Sequence, residues 1–295
     1  MPELPEVETI ACGLRPELEG REFVAVDVRN SGSVHGDRHA FDCCVLNRRI
    51  TTVGRRGKLL LIHLAAPEDD DTTCKAALEF AETSDLPDML AFHLRMSGRL
   101  FMYDADQPAG VHTRLIFTLD NGRKLFFDDA RKFGSCRALS PDSRPLWKFW
   151  ATLGPEPLEI GRKEFIDLFR GRRKAMKALL LDQTVIAGVG NIYADESLFR
   201  AGIRPDTRPA EWSAQAAARR LGRLYDELRE VLHESIRECG SSIRDYRDAK
   251  GDAGAFQNSF RVYGRSGQQC VVCKDALTTA KVAGRTTVYC VNCQK

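Results

Sequence analysis

Over 295 residues the chain contains no run of 18 apolar residues, no signal-peptide pattern and no internal repeat. The first absence excludes a membrane-spanning helix and the second a secretory route, so a soluble cytosolic protein is expected. Without a secretory route, ten unevenly spaced cysteines do not read as a disulfide scaffold. Six of them, Cys12, Cys43, Cys44, Cys74, Cys136 and Cys239, are scattered and expected to be ordinary thiols. A strong net charge is missing too: 44 Lys and Arg against 41 Asp and Glu leave +3. The length suits two domains, each with its own core.

The near-neutral total conceals a division. Residues 1–160 carry 20 basic against 25 acidic side chains, whereas residues 161–295 carry 24 against 16. The acidity is concentrated in residues 66–90, "APEDDDTTCKAALEFAETSDLPDML", with eight acids and one lysine. We read this stretch as a surface insertion, with a short helix over "CKAALEFAET". A polyanionic partner suits the rest of the chain and would avoid the insertion.

Between residues 21 and 139 short apolar or alternating stretches, "FVAVDV", "KLLLIHL", "MLAFHLRM", "HTRLIFTLD" and "RKLFFDD", are bounded by Gly, Asn and Asp. They predict a β-sandwich or barrel-like sheet packed with a leading helix over residues 1–139. Residues 140–160, with four prolines, read as a linker. Residues 161–259 turn helical: two pieces in "GRKEFIDLFRGRRKAMKALLLDQ", a third in "NIYADESLFRAG" and a long fourth over residues 211–239. Ahead of the third, Gly188 and Gly190 allow a tight path, Asn191 is expected to cap the helix, and its first N–H groups form a phosphate seat. The upstream cations Arg170, Arg172, Arg173, Lys174 and Lys177 suit a nucleic-acid backbone.

The last 36 residues, 260–295, hold Cys270-x2-Cys273-x16-Cys290-x2-Cys293. Two such pairs are the spacing of a tetrahedral four-cysteine zinc site on a β-hairpin, closed and therefore structural. So short a segment cannot bury enough surface to fold alone, and metal binding would supply the deficit.

The opening "MPELPEVETI" poses a different problem. Pro5, Glu6 and Glu8 suit a helix start, and Val7, Ile10, Ala11 and Leu14 form an apolar face until Pro16. That leaves Pro2 and Glu3 without a role. With Met1 removed, Pro2 would be a terminal secondary amine with an ordinary pKa of about 7.7–8.0, hence a nucleophile at neutral pH. Its attack on an aldehyde-level carbon gives an iminium that acts as an electron sink, with Glu3 as the adjacent proton donor.

Taken together, "PELPEVE", "GRRGKLL", "HLRMSG", "DDARKFG", "GVGNIYADESLF", "VYGR" and "GRTTVYCVNCQK" resemble, in that order, the formamidopyrimidine-DNA glycosylase family of bacterial repair enzymes. The resemblance implies an α+β multidomain fold: an N-terminal β-sandwich with its leading helix, a helix-two-turn-helix domain and a zinc hairpin. It implies a monomeric DNA glycosylase and AP lyase of the bacterial cytoplasm and nucleoid, acting on double-stranded DNA with oxidised purines or abasic sites. Pro2 would attack C1′ of the damaged nucleotide and Glu3 would help open the sugar. Lys58 matches the β-elimination lysine and Arg285 the zinc-finger arginine of δ-elimination, which grips phosphates beside the lesion with Asn191. His112, Arg131 and Arg173 would contact DNA, Lys177 would be a further phosphate contact, and Glu6 would sit near the extruded base. Extrusion of a base requires side chains to fill the vacated stack. Met96, Arg131 and Phe133 match the family's intercalating trio.

Three departures stand out. Arg95 occupies a position where some members have glycine. The acidic insertion is unusual and is expected to point away from DNA. The loop "GDAGAF" resembles the lesion-covering loop but carries Asp252, Ala253 and Ala255 where other residue types, including an aromatic, are common. The endonuclease VIII family shares the Pro2/Glu3 chemistry but tends to have glycine at the position of Leu4. A non-catalytic nucleic-acid-binding protein built on the helical and zinc modules is the alternative from another class.

Overall fold

The computed structural model describes residues 1–36, 41–42, 45–65, 87–243, 246–249 and 251–295. They form two compact units, Met1–Ala151 with Ser241–Gly254, and Thr152–Gly240 with Ala255–Lys295.

The first unit begins with helix α1, Leu4–Leu18. Pro5 lies in its first turn, where a missing N–H costs nothing, and the Glu6 carboxylate reaches back to accept the Glu3 N–H at 2.8 Å. Val7, Ile10, Ala11, Leu14 and Leu18 are buried on one face. The helix runs two residues past Pro16, where the sequence predicts its end. Burial of Leu18 outweighs the single donor that a proline in the last turn removes.

Among the described residues nine strands follow: β1 Glu22–Val28, β2 Val34–His35, β3 Arg48–Arg56, β4 Leu59–Leu64, β5 Met89–His93, β6 Gly98–Tyr103, β7 Thr113–Leu119, β8 Lys124–Asp129 and β9 Ser135–Leu139. Their order is β2-β9-β5-β4-β3-β1-β7-β8-β6, antiparallel except for β2 on β9. Only Glu22↔Arg49 and Phe23↔Arg48 pair where β1 meets β3. The sheet folds over at this weak seam. Phe92 of β5 packs on Phe117 of β7 and Phe127 of β8, with ring centroids 5.9 and 5.7 Å apart, so the two halves face each other as the expected sandwich. The five quoted stretches are strands; β3, β6, β9 and the two-residue β2 are additional.

Most of the acidic insertion, residues 66–86, including the expected helix and its orientation, lies outside the described residues. Its last part differs from the expectation, since Met89 and Leu90 are buried in β5. Pairing with both neighbours claims these apolar residues for the sheet. The neck is closed by Arg48, which is 2 % exposed and donates to the carbonyls of Ala65 (2.5 Å) and Pro87 (3.2 Å). Part of the expected linker is also structured: Ser143–Leu146 and Lys148–Ala151 are short helical turns, and Arg137 stacks on Trp147 at 5.1 Å.

The second unit holds α2 Arg162–Phe169, α3 Met176–Leu181, α4 Asn191–Ala201 and α5 Ala214–Arg237, then the hairpin β10 Thr278–Val282 and β11 Arg285–Tyr289. Helix α4 is buried from Ile192 to Ala201 and stops at Gly202, whose φ of 69° ends the helix in the left-handed region. Its cap is Gly190; Asn191 is the first helical residue instead of the cap. Helix α5 starts at Ser213, whose Oγ accepts the Ala216 N–H, and buries Leu221, Leu224, Leu228, Val231 and Leu232.

Candidate functional site

At the head of α1, Pro2 is buried, as are the carboxyl-bearing Glu3 and Glu6, 4 % and 2 % exposed. Glu6 holds this end from two sides. One carboxylate oxygen takes the Glu3 N–H and the other takes the Ser241 N–H at 2.9 Å, while the Tyr246 hydroxyl donates to the Glu6 carbonyl at 3.4 Å. The segment Ser241–Gly254, expected within the helical domain, therefore packs in the first unit against the first turn of α1. No sequence signal connects positions 235 residues apart.

Lys58 sits at the two-residue β3–β4 turn. Gly57 supplies the positive φ, 57°, that such a turn requires. Lys58 is 6 % exposed, and beside it Leu59 pairs with His93 of β5. His93 is equally buried; burial, with the charges of Arg95 and Lys58 adding to it, pushes its pKa down to about 3. Its Nδ1 accepts the Arg95 N–H at 3.1 Å, so the neutral ring carries its proton on Nε2. Sequence reasoning missed His93, although it opens the quoted motif "HLRMSG".

The burial of His93 has a measurable consequence. Its folded pKa lies below the unfolded value of about 6.5, so between pH ~6.5 and ~3 only the unfolded chain binds this proton. Stability is lost as pH falls through that window, by about 1.4 kcal/mol per pH unit at most. The stability gap between the wild type and His93→Gln, followed by urea unfolding, should narrow as pH drops from ~6.5. A gap independent of pH would contradict a neutral, buried His93.

Two loops meet on Asp129, which is fully buried. Its Oδ1 accepts the Ser97 hydroxyl and the Arg131 N–H (3.2 Å), and its Oδ2 accepts the Gly134 N–H at 2.7 Å. A side chain at Gly134 would strike Phe127 at 2.7 Å, so this close approach admits only glycine. The result brings together Met96, Arg131 and Phe133. The Arg131 guanidinium lies 3.2 Å from the Met96 sulfur and 5.1 Å from the centroid of Phe133. Met96 and Phe133 are 46 % and 58 % exposed, a conspicuous position for large apolar side chains. Arg95, just ahead, is exposed with a left-handed φ of 53°, the conformation a glycine there would adopt without strain. His112 is exposed next to this cluster in the chain fold, its carbonyl accepting the Asp129 N–H.

In the second unit Gln183 braces the loop before α4: it donates to the Leu181 and Val189 carbonyls and accepts the Gly188 N–H at 2.9 Å. Asn191 donates to the Thr286 carbonyl at 3.3 Å, one residue from Arg285. The hairpin turn Ala283-Gly284 has φ of 50° and 72°, a tight reversal that leaves Arg285 exposed at its tip. Arg173 is exposed between α2 and α3. Lys177 corrects the expectation of a phosphate contact. It is fully buried, with Nζ 2.7 Å from Asp195 on α4, because the apolar face of α3 turns it inward. Burial pushes the Asp195 carboxyl up while Lys177 pulls it down.

Cys270, Cys273, Cys290 and Cys293 place their sulfurs within 4.8 Å of one another, with Cys270–Cys293 at 3.8 Å and Cys273–Cys290 at 3.4 Å. A tetrahedral zinc with Zn–S near 2.3 Å spaces its ligands about 3.8 Å apart, so the donor set fits that ion. The Val272 and Cys293 N–H groups point at Cys270 and Cys290 sulfurs, a pattern suited to thiolates, and Phe199, Val262, Leu277 and Val288 pack around them.

Residues 1–136 match the model of the formamidopyrimidine-DNA glycosylase N-terminal domain, and residues 153–247 that of the formamidopyrimidine-DNA glycosylase H2TH domain. The formamidopyrimidine-DNA glycosylase of Nitratidesulfovibrio vulgaris is 47 % identical over the whole of both chains. Among solved structures, Lactococcus lactis Fpg in complex with abasic-site DNA superposes with a TM-score of 0.84 at 30 % identity, covering 99 % of each chain. The MutM (Fpg) protein of Thermus thermophilus does so with 0.81 at 36 %, covering 99 % of this chain and 98 % of its own. By these matches, full-length and in agreement with the fold, the chain belongs to the formamidopyrimidine-DNA glycosylase family.

Proposed function

We propose that the chain is a bifunctional DNA glycosylase and AP lyase of base excision repair that removes oxidised purines, 8-oxoguanine and formamidopyrimidines, from double-stranded DNA in the bacterial cytoplasm and nucleoid. The observation that carries this reading is the buried head of α1, where Pro2 is buried and the Glu6 carboxylate holds the Glu3 N–H, in a fold matched end to end by structures of relatives bound to damaged DNA. With Met1 removed, the Pro2 nitrogen attacks C1′, the base departs with the bonding pair and a proton, and Glu3 supplies the proton that opens the sugar. The iminium then acidifies C2′, whose proton passes toward Lys58 as the C3′–O bond breaks. Loss of a C4′ proton to water and cleavage of C5′–O complete the second elimination, with Arg285 and Asn191 holding the phosphates. Arg131, His112 and Arg173 would contact DNA, while Met96, Arg131 and Phe133 fill the vacated stack.

Comparing excision of 8-oxoguanine opposite cytosine with excision of thymine glycol tests the substrate class. Preference for the pyrimidine would place the specificity with the endonuclease VIII type. Among the described residues no helix is long and apolar enough to cross a membrane.

A zinc ion on Cys270, Cys273, Cys290 and Cys293 would supply folding energy to the hairpin and no chemistry. Cys290→Ser is expected to release the metal, seen by a colorimetric zinc assay, and to weaken DNA binding at least ~10-fold through loss of the folded hairpin. Undiminished binding would show the hairpin to be dispensable.

A further inference from the structure

The zinc cysteines fix the base of the β10–β11 ribbon, but Arg285 sits at its far end, and an isolated two-stranded ribbon holds its tip poorly. What secures the far half is a set of buried polar groups from α3 and α4. Lys177 Nζ is 2.7 Å from Asp195 Oδ1, donates to Thr287 Oγ1 at 2.7 Å and reaches the Thr286 carbonyl at 3.2 Å. Asp195 Oδ2 takes the Val288 N–H at 3.4 Å, and Asn191 Nδ2 donates to that same Thr286 carbonyl. Lys177 and Thr287 are fully buried and Asp195 is 1 % exposed.

A buried ion pair is a poor source of stability, because desolvating both charges offsets their attraction and apolar replacements are often no worse. It is a good source of register, since the pair is satisfied only when three consecutive β11 residues lie at one height along α3 and α4. We infer that Lys177 and Asp195 are positioning residues that fix the β11 tip, holding Arg285 at a set distance from Asn191 so that both reach the phosphates around the scissile sugar. The inference rests on the role proposed above for Arg285.

The reaction itself offers a selective readout, because a displaced Arg285 affects the second elimination and spares the Schiff base and first elimination made by the other unit's residues. The double variant K177M/D195L replaces the pair by apolar groups of similar size, and T287V removes the hydroxyl that accepts from Lys177 and donates to the Arg285 carbonyl. On abasic-site duplex, both are expected to lower the ratio of δ- to β-elimination product, K177M/D195L by on the order of 10- to 100-fold as for an angstrom-scale misplacement. Zinc content and the yield of borohydride-trapped adduct should stay at wild-type levels. R285Q, measured alongside, should lose the δ product. Wild-type product ratios in both Lys177-network variants, with the δ product lost in R285Q, would overturn the positioning role and leave that of Arg285 standing. Retention of the δ product in R285Q would overturn both.

Discussion

Replacing Pro2 by glycine, or leaving Met1 in place, is expected to abolish the adduct that borohydride traps between the protein and abasic-site DNA. A terminal secondary amine can add to C1′ and lose water or base to give an iminium directly, and an amide nitrogen blocked by Met1 has no pair available for the attack. Pro2→Gly keeps an amine but removes the ring that fixes its direction at the head of α1, where Pro2 and Glu3 are buried. DNA binding should survive both changes, because the exposed Arg131, Arg173 and Arg285 are untouched. Mass spectrometry of the reduced wild-type adduct should map the bond to Pro2. A bond mapped to Lys58 would overturn the assignment.

Asp129→Asn should be the most damaging change away from the reaction centre. The buried carboxylate accepts from Ser97, Arg131 and Gly134, and an amide at that place turns an N–H₂ toward at least one of these donors. A lost bond and an unsatisfied buried donor together cost about 2–3 kcal/mol, measurable by urea unfolding. The change separates the two loops that bring Met96, Arg131 and Phe133 together, so affinity for a duplex with an abasic analogue should fall more steeply than affinity for undamaged duplex. Equal losses for both duplexes would mean that the cluster does not sense the vacated stack.

The sequence made some of this legible through patterns that local chemistry dictates. The five quoted β stretches alternate or are uniformly apolar, the four C-terminal cysteines have ligand spacing, and Ala214–Arg237 has a helical apolar stripe ended by turn residues. Strand β3 escaped because "RRITTVGRR" carries four arginines and only two apolar residues that reach the core; its pairing with β4 holds it in place. The Asn191 cap failed because its amide is drawn to the Thr286 carbonyl, leaving Gly190 to open the helix. Lys177 read as a surface cation because the charge run around it is exposed, and only the tertiary position of Asp195 reveals why one member turns inward. Glu6 was singled out, yet its bond to Ser241 depends on a chain reversal that no local signal encodes.

Arg48 carries a consequence for how this fold tolerates change in length. Its guanidinium clasps Ala65 and Pro87 while the Leu64 N–H bonds the Asp88 carbonyl at 2.8 Å, so the β4–β5 connection is sealed at its stem regardless of what is threaded between. Because the entropy of closing a loop grows only logarithmically with its length, a doubling costs about 0.6 kcal/mol. Such a stem is a natural grafting point: evolution, or an engineer adding a tag or a tether, could swap the intervening residues for a few or for many without shifting a strand.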